Sequence, residues 1–172
     1  GGAGERYAPH PGGYQNAADL VGGIKRIAPD FEISVSAYPE KHPDSPTVEA
    51  DIDMLKAKVD AGATRAITQF FFENDLYFRY LDRVRARGID IPIVPGILPV
   101  QNFKATTGFA KRCGASVPAW IAERFQGLEH ALEFAGEVGV SCWNGIAAVR
   151  LCAADGAALR HDLVHVMTAI RG

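Results

Sequence analysis

KAKVDAGATRAITQFFFEND, residues 56–75, contains a helix end, a glycine break, a strand and the start of another helix. The helix that ends here begins near Thr47, and its apolar side chains recur at the spacing of one helix face. Gly62 is placed to end that helix, and the β-forming run Arg65–Phe71 (RAITQFF) follows directly. A further helix is predicted from Asn74, so this stretch predicts a strand between two helices.

The same helix-and-strand unit is predicted on both sides of this stretch. Before it, a helix from Asn16 to about Ile27 leads to the strand Phe31–Ala37. After it, the helix Asn74–Arg87 stops at Gly88 and leads to the strand Ile91–Ile97. Strands that alternate with helices pair in parallel, because a helix must carry the chain back between them. Their apolar character predicts that the strands are buried on both faces.

The predicted fold class is α/β, with parallel strands and helical crossovers that form part of a TIM (β/α)8 barrel. A doubly wound sheet is the alternative, but no strand is followed by the GxGxxG turn of a dinucleotide-binding domain. A complete barrel has eight strands in roughly 250 residues, so the three predicted strands make up only part of one. We therefore expect residues 1–172 to form one incomplete barrel domain. Residues 129–172 are expected to be a divergent tail with helices at 128–138 and 157–170.

Composition excludes some partners. The 18 basic and 20 acidic residues give a net charge of −2, which offers no electrostatic footprint for a nucleic acid or an anionic membrane. The three cysteines are odd in number and lack zinc-site spacing, which is typical of reduced thiols in a cytoplasmic protein without a metal site. Cytoplasmic small-molecule chemistry is the resulting expectation.

Polar and aromatic side chains stand at the carboxyl ends of the predicted strands, where barrel active sites lie. Tyr38 either packs over the barrel end or stacks on a planar ring. His42 is either a surface loop histidine or a ligand contact. Gln69 is either a structural amide or a ligand contact. Lys58 is either a solvated cation or a phosphate contact, and Phe70–Phe72 is expected to pack in the core.

Four segments of the chain resemble bacterial methylenetetrahydrofolate reductases, in that family's order and at its spacing. They are AYPEKHP at 37–43, KAKVDAGATRAITQFFFEND at 56–75, IPIVPGILPVQNFK at 91–104 and VPAWIAERFQGL at 117–128. The resemblance implies an (αβ)8 barrel that binds FAD at the carboxyl ends of its strands. It also implies that NADH or NADPH reduces the flavin, which then reduces 5,10-methylenetetrahydrofolate to 5-methyltetrahydrofolate in a ping-pong cycle.

The resemblance also implies binding residues at matching positions. The expected flavin contacts are Tyr38, His42, Asp51 and Lys58, with Ser45 and Ala17 at further contact positions. Gln69 corresponds to a glutamine that contacts the folate and the nicotinamide in turn. A cation and an imidazole suit a pyrophosphate, and a carboxylate suits the hydroxyls of a ribityl chain.

Other family positions are not matched. The family's general acid and its flavin-binding Arg-Gly-Asp turn precede this chain, so the catalytic residue is unassigned. Ala105 stands where a second substrate-binding glutamine is expected, and the family's last strand does not follow Leu128. We therefore expect a fragment of the reductase that turns over slowly by itself. The alternative is a noncatalytic partial-barrel remnant or association module, which is expected to form homo-oligomers.

Overall fold

The computed structural model describes residues 7–100 and 102–126. In that part of the chain, helices and strands alternate as far as the third strand, and two helices follow it. The elements are α1 (Ala17–Ile27), β1 (Ser34–Ala37), α2 (Val48–Asp60), β2 (Arg65–Phe70), α3 (Asn74–Ala86), β3 (Ile93–Gly96), α4 (Phe103–Cys113) and α5 (Ala119–Arg124). The two helices expected within the tail lie outside the described residues.

Side-chain caps and glycines set the ends of these helices. The Thr47 hydroxyl accepts a hydrogen bond from the Ala50 backbone N–H at 3.1 Å, which confirms the predicted cap of α2. Gly62 and Gly88 follow α2 and α3 with φ angles of +113° and +69°, which glycine adopts without a steric penalty. The predicted helix stops are therefore confirmed.

The three strands form one parallel sheet in the order β1-β2-β3. Val35 is paired with Ala66, and Ala66 is paired with Ile93, so each strand lies beside its neighbour in sequence. The predicted α/β class with parallel strands and helical crossovers is confirmed. The strands are shorter than predicted, and Phe31 lies before β1 with 62% of its surface exposed.

Two clusters of buried side chains form the core. The larger cluster contains residues of the sheet together with residues of α2 and α3, among them Ala66, Leu55 and Val84. The smaller cluster joins Phe70 and Phe72 to residues of α4 and α5. The three consecutive phenylalanines are 4–6% exposed, which confirms their predicted role in core packing.

The second face of the sheet differs from the prediction. Ile67 is 47% exposed, whereas its neighbour Ala66 on the opposite face is completely buried. The expectation that the strands are buried on both faces is therefore wrong for the described residues. The physical reason is that the helices cover one face, while the inner face of a barrel strand is covered only by the other strands of a closed barrel. Within residues 7–100 and 102–126, the chain has no helix long and apolar enough to cross a bilayer.

Candidate functional site

A cleft lies at the carboxyl ends of β1 and β2. Three segments form its walls: residues 38–41 after β1, residues 69–70 at the end of β2, and residues 113–115 at the end of α4. Tyr38 and Gln69 line the same cleft, so the structure brings these two predicted site residues together. This is the end of the sheet where barrel enzymes bind their ligands.

The rings of Tyr38 and His42 are in contact. Their centroids lie 4.7 Å apart and their planes meet at 77°, which is an edge-to-face arrangement. His42 Nδ1 accepts a hydrogen bond from the backbone N–H of Asp44 at 3.2 Å. A nitrogen that accepts from a backbone N–H carries no proton, so the neutral ring is protonated on Nε2. His42 therefore has Nε2–H as its donor for a ligand.

Asp51 connects the loop after β1 to helix α2. Its Oδ2 accepts a hydrogen bond from the backbone N–H of His42 at 2.8 Å, and its Oδ1 accepts one from the hydroxyl of Ser45. The carboxylate is 8% exposed although it is charged, which these two donors make possible. The structure therefore brings three predicted site residues, His42, Ser45 and Asp51, into one hydrogen-bonded group.

Lys58 is a buried cation that contacts the backbone of strand β1. It is 4% exposed, so the alternative of a solvated surface lysine is wrong. Its Nζ donates a hydrogen bond to the backbone carbonyl of Ser36 at 2.6 Å. Burial lowers the pKa of Lys58, because removal from water disfavours the ammonium, and the charge of Asp51 opposes that effect. Lys58 and Asp51 are thus electrostatically coupled on one face of α2.

Gln69 and Ala17 occupy different surroundings. The Gln69 side-chain oxygen accepts a hydrogen bond from the backbone N–H of Phe70 at 3.1 Å, and the residue is half-buried. Ala17 is the exposed first residue of α1. The described contacts do not connect Ala17 with the cleft, so it is the one predicted site residue that the structure leaves separate.

Sequence reasoning missed two groups near the site, Lys41 and Tyr80. Lys41 donates hydrogen bonds to the backbone carbonyls of His42 at 3.1 Å and of Ser45 at 2.6 Å, which folds the loop back on itself. Tyr80 lies 1% exposed, and burial raises the pKa of its hydroxyl. In the part of the chain that the structure describes, this hydroxyl makes no hydrogen bond of standard geometry, although the Tyr38 backbone is close enough to oppose the pKa rise.

No local pattern distinguishes these residues in the sequence. Lys41 resembles an ordinary surface lysine of a loop, and Tyr80 resembles a core residue of α3. Their contacts depend on the fold of the loop and on the packing of α3 in the larger core cluster. Among the described residues, no group of three or more histidine, cysteine, aspartate or glutamate side chains is placed to hold a metal ion.

Comparison with known proteins gives consistent matches. Residues 2–169 match the family model described as methylenetetrahydrofolate reductase. The chain is 51% identical over 125 residues to the 5,10-methylenetetrahydrofolate reductases of Salmonella typhimurium and Escherichia coli. These matches cover 73% of this chain and 42% of each relative. It is also 36% identical over 140 residues to methylenetetrahydrofolate reductase 2 of Saccharomyces cerevisiae, covering 80% of this chain and 23% of that protein.

Two facts follow from the extent of these matches. The aligned part of the chain spans less than half the length of the curated bacterial relatives. The family match continues to residue 169, and it therefore includes most of the segment 129–172 in which we expected a divergent tail.

Proposed function

Because the chain belongs to the methylenetetrahydrofolate reductase family, we propose that it forms part of an enzyme that reduces 5,10-methylenetetrahydrofolate to 5-methyltetrahydrofolate. The described fold is part of a TIM barrel, since its parallel strands and helical crossovers are those of this family. The observation that carries the proposal is the cleft at the carboxyl ends of the strands, which both Tyr38 and Gln69 line.

The chemistry of the donors and acceptors at this end of the sheet fits FAD. The adjoining rings of Tyr38 and His42 present an aromatic surface of the kind that contacts a planar ring system. Asp51 retains acceptor capacity, because a carboxylate has about four lone-pair sites and the described bonds use two of them. Lys58 has three N–H donors, one of which binds Ser36. We therefore propose Tyr38, His42, Asp51, Lys58 and Ser45 as flavin contacts. The proposal of Ala17 as a further contact rests on the family resemblance alone.

FAD, when bound, supplies the group that accepts hydride from NADH or NADPH and passes it to the folate. The side chains of this chain then bind and orient the reactants. Gln69 offers both an N–H donor and a carbonyl acceptor, so a single side chain is able to bind the nicotinamide and the folate in turn. Tyr38 lines the same cleft as Gln69.

No general acid is proposed among the described residues. Glu40 and Glu73 stand near strand ends, but both carboxylates already accept hydrogen bonds from the segment after α4. A proton donor must lie within hydrogen-bond reach of the atom that it protonates, and these two carboxylates are occupied elsewhere.

The first test of the proposal is flavin binding by the purified protein. Binding of FAD with its visible absorbance band supports the proposal, and a protein that remains colourless after incubation with FAD contradicts it. The second test is Gln69→Leu, which removes the amide and keeps a similar side-chain volume. Loss of one or two substrate hydrogen bonds is expected to raise KM for the folate about 10-fold. FAD affinity should be unchanged in this variant, and Asp30→Asn, at an exposed position before β1, is the matched control.

One observation favours a second function. The exposed Ile67 lies on a sheet face that no described helix covers, and exposed sheet surfaces promote association. A noncatalytic association module, which would form homo-oligomers, is therefore the second candidate. It predicts a colourless protein whose apparent mass in sedimentation rises with concentration.

The remaining expectations stay proposals. A cytoplasmic location and the lack of nucleic-acid and membrane partners rest on the net charge of −2 and on the cysteine spacing. The use of NADH or NADPH rests on the family alone.

A further inference from the structure

The carboxylate of Glu40 joins two cleft walls that are distant in sequence. Its Oε1 and Oε2 accept hydrogen bonds from the backbone N–H of Ser116 at 2.9 and 3.1 Å. Glu40 lies in the loop after β1, and Ser116 follows the turn that ends α4. Both carboxylate oxygens therefore accept from the same backbone N–H, which lies 76 residues further along the chain.

The same two segments also touch at Gly114. This residue has a φ of +72°, and a Cβ built on it would lie 2.6 Å from the backbone oxygen of Lys41 and 3.3 Å from Pro43. Such an approach is possible only for a residue without a side chain. The contact between the loop and the turn is therefore close at two neighbouring points.

Glu40 lies between the two aromatic residues that we propose as flavin contacts. Tyr38 precedes it by two residues and His42 follows it by two. Tyr38, Glu40 and Gly114 all line the same cleft. The contact between Glu40 and Ser116 therefore restrains the loop segment that carries both rings.

We propose that Glu40 is a positioning residue, which fastens the loop carrying Tyr38 and His42 to the turn after α4 and thereby sets the flavin-binding geometry. This inference rests on the proposed function. Glu40 acts through the loop, because both carboxylate oxygens bind Ser116. A preorganised loop binds its ligand more tightly, since less conformational freedom is lost on binding.

The test compares variants at position 40. Glu40→Ala removes both acceptors and is expected to release FAD about 10-fold faster or more, because a hydrogen bond to a charged group contributes roughly a factor of ten or more. Glu40→Gln keeps one oxygen acceptor and is expected to remain within about 2-fold of the parent. Glu40→Asp keeps the charge, but its side chain is one methylene group shorter and its carboxylate no longer reaches the Ser116 N–H. It should therefore release FAD as fast as Glu40→Ala. It replaces that variant if Glu40→Ala does not fold.

Two further variants serve as controls. Asp44→Asn removes a negative charge from an exposed position in the same loop and leaves the contact with Ser116 intact. Ser116→Ala removes a hydroxyl and leaves the backbone N–H that Glu40 binds. Both should release FAD at the parent rate. Amide hydrogen exchange at Ser116, measured without FAD, should be faster in Glu40→Ala and Glu40→Asp than in the parent and in Glu40→Gln.

Each result has a defined meaning. Faster FAD release in Glu40→Ala, recovery in Glu40→Gln and unchanged controls support the inference. Parent-like release and exchange in both Glu40→Ala and Glu40→Asp overturn it while the proposed function stands. Equal losses in Glu40→Gln and Glu40→Ala overturn it too, because charge rather than the hydrogen bond would then be responsible. A parent protein that binds no FAD overturns the proposed function and this inference with it.

Discussion

The carboxylate of Asp51 accepts a hydrogen bond of 2.8 Å from the backbone N–H of His42. The bond joins the first turn of α2 to the loop after β1, and the hydroxyl of Ser45 donates to the other oxygen of the same carboxylate. A charged acceptor of low exposure is stable only while its donors are present. The loop that carries His42 is therefore held in place by a helix residue as well as by its own backbone.

Replacement of Asp51 tests this connection. Asp51→Ala leaves the His42 N–H and the Ser45 hydroxyl without their acceptor, and it is expected to reduce the free energy of unfolding by about 1.5–3 kcal/mol. Asp51→Asn keeps one oxygen acceptor and should reduce the free energy of unfolding by less than Asp51→Ala does. Urea unfolding is the measurement, and Asp53→Asn, at an exposed position of the same helix, should change stability by less than about 1 kcal/mol. Similar losses at positions 51 and 53 would show that the carboxylate does not hold the loop.

Burial of Lys58 predicts a pH-dependent contribution to stability. The pKa of Lys58 in the folded protein lies below its ordinary value of 10.5, so between these two pKa values the unfolded chain binds more protons than the folded chain. The contribution of Lys58 to the free energy of unfolding therefore increases as pH rises through that window.

Lys58→Met removes this titration and keeps an unbranched side chain of similar length. The stability of the parent minus that of Lys58→Met should increase as pH rises from neutral toward 10.5. Urea unfolding of both proteins over this pH range is the measurement. Taking the difference cancels the groups that titrate equally in both. A constant or falling difference would mean that Lys58 is not a desolvated cation.

Strand β3 approaches β2 so closely at Gly96 that adding one methyl group there is expected to destabilise the protein strongly. A Cβ on Gly96 would lie 2.1 Å from the backbone oxygen of Thr68, and the Gly96 N–H also donates to the Thr68 hydroxyl. Gly96→Ala is expected to reduce the free energy of unfolding by about 3 kcal/mol, because backbone atoms must move to accept the methyl group.

Gly22→Ala is the matched substitution within helix α1, where the nearest atom to the new Cβ is 3.8 Å away. It is expected to stabilise the protein by roughly 0.5–1 kcal/mol. Thermal or urea unfolding measures both changes. The account of Gly96 would be refuted by equal stabilities of the two variants.

The indole of Trp120 provides a test of the contact between α5 and the loop after β2. Its Nε1–H donates a hydrogen bond to Glu73 Oε1 at 2.7 Å, and its ring packs against the smaller core cluster. Trp120→Phe removes the donor and keeps an aromatic ring, so it should destabilise the protein by about 1–3 kcal/mol. Trp120→Leu loses the aromatic ring as well and should destabilise the protein more than Trp120→Phe does. If Trp120→Phe is as stable as the parent, the hydrogen bond between Trp120 and Glu73 does not contribute to stability.

Local sequence determines much of this fold, and particular elements show why. Thr47, Gly62 and Gly88 act through their own backbone neighbourhood, so the limits of α2 and α3 follow from residue type and position. The alternation of helices and strands requires parallel pairing, because each helix carries the chain back to the start of the next strand. The strand ends were less predictable, since pairing with a neighbour decides where a strand stops, and Phe31 has no such partner in the sheet.

The tertiary structure alone decided how the candidate site is held. Residue types and family resemblance predicted Tyr38, His42 and Gln69 as ligand contacts near the strand ends, and Asp51 as a contact on the helix after the first loop. They did not determine that Lys58 is buried, or that Glu40 binds Ser116 across 76 residues. Burial and hydrogen bonding of a charged side chain depend on what packs against it, and those partners are distant in the chain. Side-chain type is a local property, whereas the exclusion of water is a property of the assembled fold.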